Sequence, residues 1–278
     1  MHVVIDADQL IYAAGFASEG EPRSHTYKLL NNKLDYILKN TKADTHTVYL
    51  GGVGNFRESV AITQGYKANR VAPKPESYDD ARQFLVRNRG AILVDGMEVD
   101  DQVSIDLYAD YLLANGDPDE CQVILSSPDK DLNNTPGWHY NPMKDTMRFI
   151  NETQATRHFW YQMLTGDTTD NIKGLPYCAE ATRKLHSLSK ASAKGCGKVS
   201  AQKIMSGSSD IAGAISSVAD SYLAWGVENG IDQEAVFEYM EEQGQLLCMV
   251  RQVDDFGSPS MFSLVEQLDM AGIPICLK

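Results

Sequence analysis

The sequence predicts an α/β fold with a parallel sheet, and three observations carry the prediction. Short β-branched runs alternate with longer stretches of helical periodicity through the first half of the chain, the pattern of strand–helix–strand crossovers. Three of the first four strand ends carry two or three carboxylates, where an open parallel sheet gathers its ligand-binding groups. The composition (278 residues, 43% hydrophobic, 23% charged) is that of a globular chain with a sizeable core.

Val3-Val4-Ile5 reads as the first strand. Asp6 and Asp8 follow it, two apart, a spacing that shares one face of an extended chain. Leu10 to Ala17 and Tyr27 to Lys39 read as helices, the second with Leu29, Leu30, Leu34, Ile37 and Leu38 at helical spacing. Thr45 to Leu50 is the second strand and ends at Gly51-Gly52-Val53-Gly54. From Asn55 to Gly90 the chain reads as helix, mobile loop and helix, broken by Pro73 and Pro75. A helix there places Lys67 and Arg70 on one face, and Tyr66 beside them is suited to stack on a base.

Ala91 to Val94 is the third strand. Glu98-Val99-Asp100-Asp101 follows it, at the start of a helix that stops near Asn115-Gly116. Acids in a first helical turn also suit the macrodipole on their own account. Gln122 to Ser126 is the fourth strand, with Asp129 and Asp131 directly after it. Trp138 to Tyr140 and Met147 to Ile150 flank a turn and read as an edge hairpin. Residues 154–164 read as a helix that leads to Gly166-Asp167-Thr168-Thr169-Asp170-Asn171. After a basic stretch, Gly195-Cys196-Gly197-Lys198 precedes another helix. That arrangement cradles phosphate with backbone N–H groups, and it is also the sequence of a plain turn. From Gln233 onward the chain is acidic and reads as helices returning to the first domain.

A net charge of −13 argues against a protein that simply coats nucleic acid. The charge is uneven, however. Residues 98–131 hold ten acids against one base, whereas 170–205 hold seven bases against two acids and 54–90 seven against four. An acidic centre between basic segments suggests cations in the middle and a polyanion gripped on either side. No apolar run approaches the roughly 18 residues of a membrane span. The N-terminus enters a strand at once, which leaves no room for a secretory leader. The five cysteines are dispersed, as reduced thiols of a cytoplasmic protein would be, and Cys178, His186 and Cys196 match no standard zinc spacing.

Asp6, Asp8, Glu98, Asp100, Asp101, Asp129, Asp131, Asp167 and Asp170, brought to one rim, would repel one another. Like charges near 4 Å cost about 4 kcal/mol at an effective dielectric of 20. Such a set stays ionised only with bound cations, and oxygen donors without interleaved His or Cys select hard ones, Mg²⁺ or Mn²⁺. Two such ions roughly 4 Å apart suit in-line attack on a phosphodiester, with a nearby Lys or Arg stabilising the developing charge.

At this point a resemblance emerges. Ile5-Asp6, Tyr66-Lys67-Ala68-Asn69-Arg70, Glu98-Val99-Asp100-Asp101, Ser127-Pro128-Asp129-Lys130-Asp131-Leu132, Gly166-Asp167-Thr168-Thr169-Asp170-Asn171-Ile172-Lys173-Gly174 and Gly195-Cys196-Gly197-Lys198 resemble, in order, the motif set of the 5′ nuclease (flap endonuclease-like, PIN-like) family. The small size and the ending Glu241-Glu242-Gln243-Gly244-Gln245-Leu246-Leu247 are most similar to the 5′–3′ exonucleases of short-tailed bacteriophages.

The resemblance implies a parallel-sheet PIN-like core over 1–165 with a helical arch at about 54–90, a helix–hairpin–helix DNA-binding region over 166–228, and a C-terminal helical segment, 229–278, packing back on the core. It implies metal binding by Asp6, Glu98, Asp100, Asp101, Asp129, Asp131, Asp167 and Asp170. It also implies engagement of the scissile phosphate by Lys67 and Arg70, and a grip on duplex backbone, with a K⁺ ion, by Gly195, Gly197 and Lys198. The implied activity is Mg²⁺- or Mn²⁺-dependent hydrolysis from the 5′ end of duplex DNA. Flaps and RNA–DNA hybrids are further substrates, and the setting is phage DNA replication in the host cytoplasm, alongside single-stranded-DNA-binding or replication proteins.

Two departures stand out. The family has an acid after the second strand where this chain has Gly51-Gly52, a gap that Asp8 is placed to fill. About twenty residues, Tyr177 to Lys194, separate Gly174-Leu175-Pro176 from the Gly-x-Gly-Lys hairpin, which the family joins closely. Two other readings compete. A haloacid-dehalogenase-like phosphatase would use Asp6 and Asp8, but it expects Thr or Val where Leu10 stands. A branched-DNA-binding protein without cleavage would leave the carboxylates idle and destabilising.

Overall fold

The computed structural model describes residues 1–192 and 195–273; Lys194 of the basic stretch and Cys276 of the thiol set lie outside the described residues. The chain runs β1 (His2–Asp6), α1 (Asp8–Ala17), α2 (Arg23–Thr41), β2 (Thr45–Gly51), α3 (Arg57–Val60), α4 (Tyr78–Arg89), β3 (Ile92–Val94), α5 (Val99–Leu113) and β4 (Val123–Ser126). A 3₁₀ turn, Asp131–Asn134, precedes the hairpin of β5 (Gly137–Asn141) and β6 (Thr146–Ile150). Helices follow: α6 (Glu152–Thr165), α7 (Glu180–Leu185), α8 (Lys198–Ser206), α9 (Ile211–Asn229), α10 (Gln233–Leu247) and α11 (Leu264–Met270).

These elements form two compact units. One comprises residues 1–56, 71–152 and 249–260; the other comprises 57–70, 153–248 and 261–278. The first unit holds a six-stranded sheet in the order β3-β2-β1-β4-β5-β6. Every neighbouring pair is parallel except the β5–β6 hairpin. Val3, Val4 and Ile5 of the central β1 are all buried, so this strand reads as a continuous apolar run rather than an alternating one. Leu10, Ile11, Leu30, Leu34 and Ile37 of α1 and α2 pack with Val3 and Ile5. Val99, Val103 and Leu107 of α5 join Val4, Tyr49 and Leu125 in a separate cluster. The chain builds β2 and β3 on one side of β1, then crosses to lay β4 on the other. That crossing makes β1 and β4 the switch point of the sheet, the place where open α/β sheets bind their ligands.

The second unit is helical. Trp160 and Met163 of α6, Ile204 of α8, Val218 and Tyr222 of α9, Val236 and Met240 of α10 and Leu268 of α11 share one core. No helix among the described residues is long and apolar enough to cross a membrane.

The structure departs from the sequence reading in two places. The expected three-part division (1–165, 166–228, 229–278) gives way to two interleaved units, because the apolar face of α10 belongs to the same core as α6, α8 and α9. Only residues 249–260 of the C-terminal segment group with the sheet, through Met249 among Val99, Val103 and Leu107. The 54–90 segment keeps the helix, loop and helix order read from the sequence, as a one-turn α3, an irregular stretch and α4, and the second departure lies within it. Lys67 and Arg70 lie on a turn, not on a helix face. Lys67 has φ 53°, a left-handed conformation that no α-helix continues through.

Candidate metal centre and candidate DNA-binding elements

In the first unit, Asp6 ends β1 and is 4% exposed. Its Oδ1 accepts the backbone N–H of Asp8 at 3.2 Å and its Oδ2 accepts the Ser127 hydroxyl at 3.1 Å. Ser127 follows β4, so the two strand ends of the switch point are tied through this carboxylate. Burial pushes the Asp6 carboxyl up to about 7. The charge of Asp8 adds to the rise, the Ser127 and Asp8 hydrogen bonds oppose it, and Asp129 adds a further push. The neighbouring residues are strung along backbone turns: Asp129 N–H donates to Ser127 Oγ at 3.2 Å, and Asp131 N–H donates to Asp129 Oδ1 at 2.9 Å. Lys130 pairs with Asp131 at 2.9 Å.

Asp8 opens α1. Its Oδ2 accepts Gly51 N–H at 3.0 Å, and Arg82 stands 3.6 Å from its Oδ1 while also donating to the Gly51 carbonyl at 2.6 Å. A Cβ at Gly51 would lie 2.9 Å from Asp8 Oδ2, and one at Gly52 would lie 2.0 Å from Asp95 Oδ1. The glycines therefore leave room for two carboxylates that come from elsewhere in the chain. Asp95, whose Oδ1 accepts Val53 N–H at 2.8 Å, was missed in the sequence. Its signal was its place directly after the third strand.

The Glu98–Asp101 cluster is built as a capping box at the start of α5. Glu98 is the N-cap, and Asp101 Oδ2 accepts Glu98 N–H at 3.2 Å. Asp101 is fully buried, and its Oδ1 accepts Val250 N–H at 2.9 Å. Its carboxylate thus fixes the helix start and ties in residue 250. Glu98 Oε1 accepts the Asn55 side-chain amide at 3.0 Å, and Asp100 is half-buried in the same turn.

The donor set of this unit is carboxylate oxygen throughout, and the buried Asp6 carboxyl is held up in pKa by burial and like charge. Both features fit a hard divalent cation. Among the described residues no three His, Cys, Asp or Glu side chains stand in an ion-holding arrangement, so the carboxylates form a set of donors rather than a closed cage.

In the second unit, Asp167 and Asp170 lie on the turn from Gly166 to Gly174. Asp167 N–H donates to the Ile172 carbonyl at 2.9 Å and Ile172 N–H returns to Asp167 at 2.7 Å. Gly166 and Gly174 have φ 61° and 62°, and a Cβ at Gly174 would stand 2.4 Å from Gly166 N. The buried Asp167 accepts Thr169 N–H on Oδ1 at 2.6 Å. Asp170 is where the basic residues converge. Lys67 Nζ is 3.7 Å from Oδ2, Arg70 pairs with Oδ1, and the Tyr66 hydroxyl donates to Oδ2 at 3.0 Å. Lys67 Nζ also lies 4.9 Å from the Tyr66 ring centre, a cation–π contact.

Arg57, one of the basic residues of the 54–90 segment, faces no solvent. It is buried, and it donates from Nε to the Leu246 carbonyl at 3.0 Å and from Nη2 to Cys248 at 2.8 Å, at the C-terminal end of α10.

Gly195 (φ 94°) and Gly197 precede α8, with Gly197 as its N-cap and Lys198 as its first residue. A Cβ at Gly197 would meet nothing within 4 Å, so this approach to the helix is open. Within residues 177–192 the stretch holds α7 and a bridge between Cys178 and Ser192. His186 meets Ser221 Oγ at 3.1 Å; the Cys178 thiol, lowered by a hydrogen bond from Cys196, has Ser200 as its other partner.

The six-stranded mixed sheet with carboxylates at its switch point has counterparts among solved structures. The chain is similar to the bacteriophage T5 D15 protein co-crystallised with metal ions, with a TM-score of 0.50 and 14% identity over 88% of this chain and 98% of that one. A T5 D15 flap endonuclease in a pseudo-enzyme–product complex with DNA and metal ions gives 0.49 at 13% identity over the same shares of both chains. The T5 5′-exonuclease with bound zinc gives 0.49 at 14%, over 89% of this chain and 100% of that one. Neither a protein-family model nor a curated protein matches the sequence. At such low identity the likeness establishes the fold.

Proposed function

We propose that the protein is a metal-dependent 5′→3′ deoxyribonuclease that hydrolyses phosphodiesters from the 5′ end of duplex DNA, with flaps and RNA–DNA hybrids as further substrates in phage replication. The observation that carries this reading is Asp6, buried at the sheet's switch point with its carboxyl pushed up to about 7 by burial and by Asp8 and Asp129. A site that concentrates negative charge out of water is built for a cation. The T5 relatives, described with metal ions and DNA, support the same direction.

In this reading Asp6, Asp8, Glu98, Asp100, Asp129 and Asp131 hold Mg²⁺ or Mn²⁺, and Asp101 adds whatever its two backbone partners leave free. Asp167 and Asp170 are the carboxylates of the second unit for the same class of ion. Bound divalent ions supply an acidified water and offset charge on the phosphate oxygens. Lys67 and Arg70 exchange Asp170 for the scissile phosphate and stabilise its added charge. Tyr66 orients Lys67 through its ring and offers that ring to the terminal base. Gly195, Gly197 and Lys198 bind duplex backbone phosphate at the start of α8, with a K⁺ ion at the hairpin.

The test is a 5′-labelled duplex incubated with Mg²⁺. Labelled short products that vanish in EDTA and with Asp129→Ala support the reading. An uncut duplex, with phosphate released from small phosphomonoesters, would point to the phosphatase instead.

A further inference from the structure

The turn carrying Tyr66, Lys67 and Arg70 has no helix or strand of its own, so its place depends on its tethers. Asp170 and its neighbours supply one set: Lys67 N–H donates to the Asp170 carbonyl at 2.9 Å, and the Asn171 amide donates to Gly65 at 2.9 Å. The other comes from Glu242 in α10. A single atom, Oε1, accepts Ile62 N–H at 2.7 Å, Thr63 N–H at 2.8 Å and the Thr63 hydroxyl at 3.1 Å. Glu242 is 7% exposed.

The next residue serves the opposite side of the same constellation. Gln243 Oε1 accepts Gly174 N–H at 3.0 Å, and Tyr239, one turn earlier, donates to the Gly174 carbonyl at 2.9 Å. Gly174 closes the turn that bears Asp167 and Asp170. Adjacent residues of one helix therefore hold both the basic turn and the acidic turn. An acidic helix that merely faced solvent would make none of these contacts.

We propose that Glu242 is a positioning residue: through Ile62 and Thr63 it sets the turn that presents Lys67 and Arg70 to phosphate. The proposal rests on the nuclease reading above. Its geometry makes a specific demand, because all three donors meet one oxygen. A carboxamide oxygen does the same work as the carboxylate, whereas an apolar side chain of similar size leaves two N–H groups and a hydroxyl unpaired.

The experiment compares wild type, Glu242→Gln and Glu242→Leu by single-turnover cleavage of a 5′-labelled duplex in Mg²⁺, by duplex affinity, and by amide hydrogen exchange. Glu242→Leu is expected to slow cleavage roughly 100-fold, as a small misplacement of catalytic groups does, while duplex affinity stays within roughly threefold. Exchange should quicken at Ile62 and Thr63 and stay unchanged in α6 and α9. Glu242→Gln is expected to cut within roughly threefold of wild type. Three results overturn the proposal: undiminished cutting by Glu242→Leu, equal losses in both variants, or faster exchange throughout the second unit. A wild-type chain that cuts no duplex overturns the nuclease reading and the positioning role with it; a cutting wild type beside an undiminished Glu242→Leu overturns the positioning role alone.

Discussion

The chain holds its two groups of acids in opposite ways. In the first unit, Asp6 receives a backbone N–H and a hydroxyl, and its nearest charged influences are Asp8 and Asp129. In the second, Asp170 is met by Lys67, Arg70 and Tyr66. The contrast teaches what each group requires. The carboxylate set of the first unit has an excess of negative charge, which calls for a cation from solution. The second carries its cations on its own chain, and in the proposed reading they leave Asp170 for phosphate.

The largest expected effect breaks that contrast at the first unit. Asp129→Ala should lower Mg²⁺-dependent cleavage roughly 1,000-fold, measured as initial rate on a 5′-labelled duplex. Near wild-type rates would remove Asp129 from the metal group. The next effect falls on the second unit. Lys67→Ala should lower cleavage roughly 100-fold with little change in duplex affinity; equal losses in both would make Lys67 a binding residue only.

Much of this comparison was legible in the sequence. Val3 to Ile5 stood out because a central parallel strand is buried on both faces and so reads as unbroken apolar residues. Glu98 and Asp101 were visible as acids opening a helix, although their reciprocal capping bonds were not. Lys67 and Arg70 were placed correctly beside each other for an incorrect reason. A spacing of three suits a turn as well as a helix, and nothing in the sequence marks the left-handed backbone of Lys67. The roles of Arg57 and Glu242 were hidden because their partners lie about 190 and 180 residues away in the chain, beyond the reach of periodicity or local motifs. Gly51 looked like a lost acid. The sequence offered Asp8 for that gap, and the fold puts its Oδ2 2.9 Å from where a Gly51 Cβ would stand, a distance no spacing could give.

Smaller effects sharpen the contrast through stability. Mg²⁺ at about 100 times its Kd should raise the melting temperature of the wild type by roughly 5 °C, because a ligand of the folded state adds to its stability. The same titration on Asp129→Ala should give far less. The pH dependence runs in a defined direction. The Asp6 carboxyl is raised from 3.8 to about 7 by folding, so its contribution is fully present below pH 3.8 and is lost as pH rises through 7. In EDTA, Asp6→Asn should therefore melt about 3 °C above wild type at pH 8, with the gap narrowing at pH 5. A variant that melts lower than wild type at pH 8 would mean that Asp6 is not strained by its neighbours.

The most direct measurement is Mn²⁺ binding followed by electron paramagnetic resonance, with wild type compared to Asp6→Asn and Asp129→Asn in the absence of DNA. The expected result is saturable loss of the free Mn²⁺ signal with wild type and a marked weakening in both variants. Equal binding by all three proteins, or none by the wild type, would contradict a metal centre at the ends of β1 and β4.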